Sequence, residues 1–351
     1  MLNQSQISEL NKIAKQMVAA GKGILAADES EKTVGKRFAP INLENNEKNR
    51  QAFRNMLLTA QGIEQYISGV ILHDETIRQN ALNGKTFVSI LQEKGVLPGI
   101  KVDAGLADFG TAGEKVTMGL EGLADRLKEY VGLGAKFTKW RSVITIGEGT
   151  PTEENIRQNA KDLAQYALIA QEAGLVPMVE PEVLLDGNHD IAAAKDASTR
   201  ILSVLFEELK NAGVAIEGVI VKTSMVLPGK EYQKASPEEI AKETLDVFNQ
   251  TIPKELPGVV FLSGGQGDIE ATENLNAINQ QGSQPWPLTF SYARALQDAP
   301  TKIWAGKPEN VVEAQKAFIH RAKMNSLASM GKYSPEMEEG FKSAEASVSQ
   351  N

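Results

Sequence analysis

The sequence predicts an α/β fold of the (β/α)8 TIM-barrel class, and three observations carry that prediction. Eight short apolar runs rich in β-branched residues recur along the chain. Segments with helical periodicity lie between most of them. Charged and hydroxyl side chains collect at the C-terminal end of nearly every run, where a barrel of this kind keeps its chemistry.

In order, the chain opens on an amphipathic helix, because Ile7, Leu10, Ile13, Ala14, Met17 and Val18 recur at three- and four-residue steps. The runs follow as GILAAD (23–28), GVILHDE (69–75), GIKVD (99–103), KFTKWR (136–141), VPMVEPEV (176–183), GVIVKTSMV (218–226), GVVFLSGG (258–265) and PLTFSYA (287–293). Each is a few residues long and most start beside Gly or Pro, as buried parallel strands do. Thr150-Pro151-Thr152-Glu153 reads as a capping box with proline at the first helical position, opening a helix that runs to Gly174. Ile201, Leu205 and Leu209 keep a four-residue step before Gly213 ends the next helix, and Ser236-Pro237-Glu238-Glu239 is a second capping box. Strands alternating with helices close naturally into a barrel, with an open doubly wound sheet as the structural alternative. No internal repeat or Pro/Gly-rich linker divides the chain. Residues 1–351 therefore read as one domain, with a small polar tail over about 343–351 expected to be mobile.

Composition narrows the function classes. The 351 residues are 42% hydrophobic and 23% charged, ordinary for a soluble globular protein, with a formal net charge of −8. That balance offers no electrostatic footprint for nucleic acid or an anionic membrane. Cysteine is absent, which excludes disulfides and thiol nucleophiles. No secretory signal is read at the start, and no apolar run approaches the roughly 20 residues that span a bilayer. The expectation is a cytoplasmic protein.

The polar residues at the strand ends are Asp28, Asp74 and Glu75, Lys101 and Asp103, Lys139 and Arg141, Glu180 and Glu182, Lys222, Ser263-Gly264-Gly265, and Ser291 with Arg294. Strand residues two apart share a face, so Lys139/Arg141 and Glu180/Glu182 can each enter one space. Any one of these alone reads more readily as a solvated loop charge; the recurrence of charged groups on seven of the eight strands argues otherwise. Lys222 stands out because it interrupts Val219-Ile220-Val221, where an idle ammonium loses solvation. Burial and a neighbouring cation such as Lys139 both favour a neutral amine. Moving a lysine from about 10.4 to near 7 takes about 4–5 kcal/mol of differential interaction. Gly264-Gly265 after the seventh strand and Arg294 after the eighth suit a phosphate. Ser30, Thr33, Lys36, Arg37 and Lys101 form a second basic region, so a substrate with a phosphate at each end is expected.

The segments GKGILAADES, GVILHDET, GIKVD, KFTKWR, VPMVEPE, EGVIVKTSMV, FLSGGQ and FSYARALQ, in this order, resemble the strand motifs of class I fructose-bisphosphate aldolases over nearly the whole chain, from about residue 10 to about residue 333. The resemblance implies a cofactor-free, metal-free barrel that reversibly cleaves fructose 1,6-bisphosphate to dihydroxyacetone phosphate and glyceraldehyde 3-phosphate. By motif, Lys222 matches the Schiff-base lysine, and Glu180 the acid/base that expels water from the carbinolamine. Glu182 matches the residue that orients that machinery, and Asp28 the carboxylate that takes the C4 hydroxyl proton. Lys139 matches the lysine beside the Schiff base and Arg141 the arginine of the same pocket. Ser263, Gly264 and Arg294 match the C1-phosphate side; Ser30, Thr33 and Lys101 match the C6-phosphate side. A homo-oligomer accords with the resemblance, since members are often tetramers, but no sequence pattern sets a subunit number.

Three departures stand out. Many relatives carry proline where this chain has Thr223, and glycine where it has Ala293; the chain also ends in SVSQN, without the terminal tyrosine of eukaryotic members. Competing readings are another Schiff-base aldolase or transaldolase, a zinc-dependent aldolase, and a catalytically silent scaffold. Zinc is disfavoured because His73, His189 and His320 lack paired ligand spacing. His73 reads as a hydrogen-bonded structural histidine despite its place at a strand end.

Overall fold

All eight apolar runs become strands because their apolar side chains can be buried on both faces at once, inside the barrel and beneath the helices. The computed structural model describes residues 2–110 and 113–339; the tail over 343–351 lies outside the described residues. The strands are β1 (Gly23–Ala27), β2 (Ile67–Leu72), β3 (Leu97–Lys101), β4 (Leu106–Phe109), β5 (Glu114–Thr117) and β6 (Phe137–Ile144). They continue as β7 (Val176–Val183), β8 (Ile220–Thr223), β9 (Val259–Phe261) and β10 (Leu288–Tyr292). Eight of them close in the order β1-β2-β3-β6-β7-β8-β9-β10, all parallel, and β10 returns to β1 through Ile24 opposite Ser291.

The period-two alternation is plain on β6. Thr138 and Trp140 face the helix Glu153–Glu172, where Trp140 stacks on Tyr166 at 5.4 Å and Thr138 Oγ1 shares a 2.7 Å hydrogen bond with the Tyr166 hydroxyl. Lys139 and Arg141 consequently face inward.

The floor of the barrel is apolar and closed. Ile24, Ile71, Leu97, Phe137, Met178, Ile220 and Val260 pack together with Leu10, Ala14 and Met17 of the N-terminal helix Gln4–Met17. Glycine at two junctions lets this happen. A methyl on Gly99 would stand 2.2 Å from Phe137 Cζ, and one on Gly218 would stand 2.9 Å from Leu10 Cβ. With one end plugged, the other end alone is left for a ligand.

The antiparallel hairpin β4–β5 between the third and fourth barrel strands was not anticipated from the sequence. It corrects a helix boundary too. The helix over 153–172 starts two residues later than expected, with Thr152 as its cap. Thr152 Oγ1 accepts from Asn155 N–H, while Thr152's own N–H and hydroxyl donate to Glu114 at the start of β5 at 2.8 and 2.6 Å. Ser236 caps Pro237–Thr251 as expected, by accepting from Glu239 N–H. Gly174 and Gly213 take φ of 78° and 76° just past their helices. Among the described residues, no helix is long and apolar enough to cross a membrane.

Candidate active site

The C-terminal ends of the barrel strands surround a cavity of about 570 Å³. At its base four charged side chains alternate in sign. Lys222, 4% exposed, extends from β8 with its Nζ 2.9 Å from Glu180 Oε1 on β7. Glu180 Oε2 lies 3.1 Å from Lys139 Nζ on β6, and Lys139 Nζ lies 2.7 Å from Asp28 Oδ2, just past β1. All four are buried. A row that joins β1 to β6 crosses the barrel, so it exists only because the sheet closes.

Burial alone drives each of these groups toward its neutral form, and the neighbours reverse it. Asp28 is pushed up by desolvation but held well below the usual carboxylate range by Lys139, Lys222 and Lys101. Glu180 is likewise pushed up by burial and brought below its ordinary value by Lys139, Lys222 and Arg141. Lys139 loses solvation yet stays firmly protonated, because Asp28, Glu180 and Asp103 face it. Here the geometry corrects the sequence reading. A neighbouring cation was expected to favour a neutral Lys222, but the group in direct contact with it is a carboxylate.

Further up the wall, Arg141 on β6 pairs with Glu182 on β7, with Nε donating to the carboxylate, and the pairing holds the guanidinium above its ordinary value. Lys101, at the end of β3, is tied to the Asp103 carboxylate and donates to the Asp103 carbonyl at 2.8 Å. Ser30 caps the helix Glu31–Phe38, accepting from Thr33 N–H at 3.4 Å while the two hydroxyls lie 3.1 Å apart. Across the mouth, Ser263 and Gly264 follow β9, with Gly264 at φ 54°, a conformation glycine adopts freely. Arg294 is the first residue of the helix Arg294–Trp304. Helix N-termini therefore stand on both sides of the mouth, and each attracts anions through its unsatisfied N–H groups.

All twelve residues to which the resemblance gives a role line this one cavity, and so do Asp103 and Ser291. The other polar residues read at the strand ends and in the second basic region do not. Arg37 is held away by Glu29 at 2.9 Å and Asp298 at 2.8 Å, and Lys36 is exposed outside the lining. Asp74 pairs with Arg78 and Glu75 with Arg50, so neither reaches the mouth. Gly265 lies behind Arg294, outside the lining. His73 does face the cavity, and it is also structural: its Nδ1 accepts from Glu75 N–H at 3.4 Å.

Glu29 was missed. It lines the cavity, yet its carboxylate is committed to Arg37 and to Arg54 at 2.8 Å. Ala104, Gly105 and Leu106, at the root of the unforeseen hairpin, also line the mouth. The turn glycines 105, 110 and 113 were the available signal. Of the three departures, Thr223 is an ordinary strand residue opposite Phe261, and Ala293 turns its backbone into the Arg294 helix at the cavity edge. The terminal SVSQN lies outside the described residues. Tyr333 is no substitute for a terminal tyrosine, being buried against Glu338. Among the described residues, no group of three or more His, Cys, Asp or Glu could hold a metal ion.

Comparison with known proteins agrees with this architecture. A sequence model of the family described as fructose-bisphosphate aldolase class-I matches residues 9–351. The chain is 53% identical over 329 residues to "Fructose-bisphosphate aldolase 4, cytosolic" of Arabidopsis thaliana, covering 93% of this chain and 84% of that one. It is 50% identical over 327 residues to "Fructose-bisphosphate aldolase, cytoplasmic isozyme 1" of Pisum sativum, covering 93% and 92%. Among solved structures, fructose-bisphosphate aldolase from Plasmodium falciparum, in complex with TRAP and a small molecule inhibitor, superposes with a TM-score of 0.94 at 46% identity, covering 95% of this chain and 97% of that one.

Proposed function

This chain belongs to the fructose-bisphosphate aldolase class-I family, and from that premise we propose that Lys222 is the amine through which it works. The enzyme is a lyase of glycolysis that reversibly cleaves fructose 1,6-bisphosphate to dihydroxyacetone phosphate and glyceraldehyde 3-phosphate. It acts in the cytoplasm, the compartment named for its plant relatives. Residues 1–351 act as one domain, assembled as a homo-oligomer.

The row of charges supports a definite order of proton transfers. Glu180, in contact with the Lys222 ammonium, takes its proton, and the free amine attacks C2 of the ketose. Internal proton transfer gives the neutral carbinolamine. Glu180 then returns its proton to the departing hydroxyl, which leaves as water, and an iminium remains on Lys222. Asp28 next accepts the proton of the C4 hydroxyl. The C3–C4 bond breaks, its electron pair passes into the iminium to form an enamine, and glyceraldehyde 3-phosphate departs. Protonation at C3 and hydrolysis of the iminium release dihydroxyacetone phosphate.

Lys139 holds both carboxylates in place and stays charged throughout. Arg141 and Glu182 orient each other on the cavity wall. Ser263, Gly264 and Arg294 grip the C1 phosphate, while Ser30, Thr33 and Lys101 grip the C6 phosphate. The bound substrate also alters the base. Asp28 alone is held too low to be an effective base, but two phosphates bring roughly three to four negative charges to the mouth. That charge offsets the lysines and raises Asp28 when a base is needed.

The single observation behind this reading is the buried Lys222 Nζ 2.9 Å from a buried glutamate at the closed end of the cavity. Borohydride reduction with dihydroxyacetone phosphate, followed by peptide mapping, tests it. A stable adduct on Lys222 is expected, unchanged by EDTA. An adduct on Lys139 or Lys101, or none, would overturn it; a silent scaffold would give none.

A further inference from the structure

Arg294 is exposed at the mouth and makes no hydrogen bond or ion pair among the described residues. Gly265 joins it to a second loop. A methyl on Gly265 would lie 3.7 Å from Arg294 Nη2 and 3.4 Å from Leu185 Cδ2, so Arg294 and Leu185, just past β7, both stand against this glycine. The segment 185–189 is laced by main chain to the loop after β8. Lys230 N–H donates to Leu185 O at 2.8 Å, Gly229 N–H to His189 O at 2.8 Å, and Glu231 N–H to Gly187 O at 3.1 Å. Glycine at 229 makes the lacing feasible, since a methyl there would stand 2.3 Å from Gly187 O.

This lacing sets Lys230 on the same rim as Arg294, with its Nζ ion-paired to the Asp186 carboxylate. The Asp186 hydrogen bond favours the charged lysine, and Arg294 is near enough for its own charge to oppose it. Both partners of the pair are solvent-exposed, so Asp186 holds the lysine weakly. A phosphate dianion at Arg294 offers Lys230 a larger opposite charge than one carboxylate does. Lys230 belongs to none of the strand motifs.

We propose that Lys230 is a further substrate-binding cation, held by Asp186 and transferred to the terminal phosphate dianion that Arg294, Ser263 and Gly264 receive. This rests on the bisphosphate reading above. The test uses K230Q, K230R, D186N and the double variant D186N/K230Q, with fructose 1,6-bisphosphate cleavage measured at low and high salt. Borohydride trapping of dihydroxyacetone phosphate is run on each protein alongside. K230Q is expected to raise KM about two- to fivefold with a smaller fall in kcat, and to flatten the salt dependence of kcat/KM. K230R should stay near the unmodified values. D186N should lower KM, and only while Lys230 is present. Unchanged KM and salt dependence in K230Q, or a D186N effect that survives in the double variant, would overturn the assignment. If trapping at Lys222 is normal when that happens, the catalytic reading stands; no trapping in the unmodified enzyme would overturn both.

Discussion

Lys222, Glu180, Lys139 and Asp28 are each unremarkable residues whose properties come from the order in which they touch. Removing one leaves a buried partner uncompensated, so variants should be isosteric. Glu180→Gln should slow Schiff-base formation about 10²–10⁴-fold, the usual worth of a positioned acid/base. Asp28→Asn should leave trapping of dihydroxyacetone phosphate intact while cleavage falls by about the same factor. Rapid-mixing trapping set against steady-state cleavage separates the two; if Asp28→Asn cleaves at the normal rate, its role is misassigned. The pH behaviour follows from the same contacts. Both carboxylates are held below their ordinary 3.8 and 4.5, so both are ionised from those values upward. Acid inactivation through either in the free enzyme therefore falls below those values. His73 is no alternative source of a limb above neutrality, since burial and Lys101 lower it. The inward positions of these residues were legible in the sequence, because period two and strand ends specify them. Who touches whom was not: Asp28 and Lys139 lie more than a hundred residues apart and meet only across a closed barrel. Thus Glu180 stands between Lys222 and the cation expected beside it, Lys139.

At the scale of elements, the eight barrel strands could be read because each is a short apolar run between turn signals, and Ser236, Gly174 and Gly213 marked real helix ends. The hairpin β4–β5 escaped because its burial is partial; β4 alternates between exposed and half-buried positions and shows no apolar run. Its hold on the molecule is polar. Glu114, 3% exposed, receives the N–H and hydroxyl of Thr152, and the Lys115 carbonyl accepts from the side chains of Asn155 and Asn159 at 2.9 and 3.0 Å. The same contacts hold Thr152 as the cap of the helix Glu153–Glu172. Because Ala104, Gly105 and Leu106 line the mouth at the hairpin's root, loosening it should reach the substrate. Glu114→Ala should cost about 1–3 kcal/mol, leaving two half-buried donors without their partner, and should raise KM more than it lowers kcat. Urea unfolding and steady-state kinetics measure the two effects. Normal stability would show that the hairpin is held by something else.

For the molecule as a whole, the barrel must also be fastened to the chain's last described turn, and a buried charge does this. Glu338, in the turn Pro335–Glu338, is buried. It accepts from Arg321 and from the Tyr333 hydroxyl at 3.2 Å, and His320 Nε2 lies 2.7 Å away. Arg321 donates onward to the Asp268 carbonyl at 3.1 Å and to Thr272 Oγ1 at 2.6 Å. One guanidinium thus binds the turn at 335–338, the helix Val311–Ala328 and the helix Asp268–Gln280 into one piece. Burial pushes Glu338 up, but the His320 hydrogen bond and the Arg321 charge bring it down from 4.5 to about 2. A carboxyl depressed on folding stabilises the native state fully above its unfolded value and loses that contribution as pH falls toward its folded one. The contribution of the Glu338 charge to the stability gap between the unmodified enzyme and Glu338→Gln should therefore be fully present at about pH 5 and shrink steadily from about 4.5 downward. Urea midpoints at stepped pH would show it. A gap that stayed constant, or widened with acid, would mean that Glu338 carries no excess charge stabilisation and that packing alone secures the C-terminal turn.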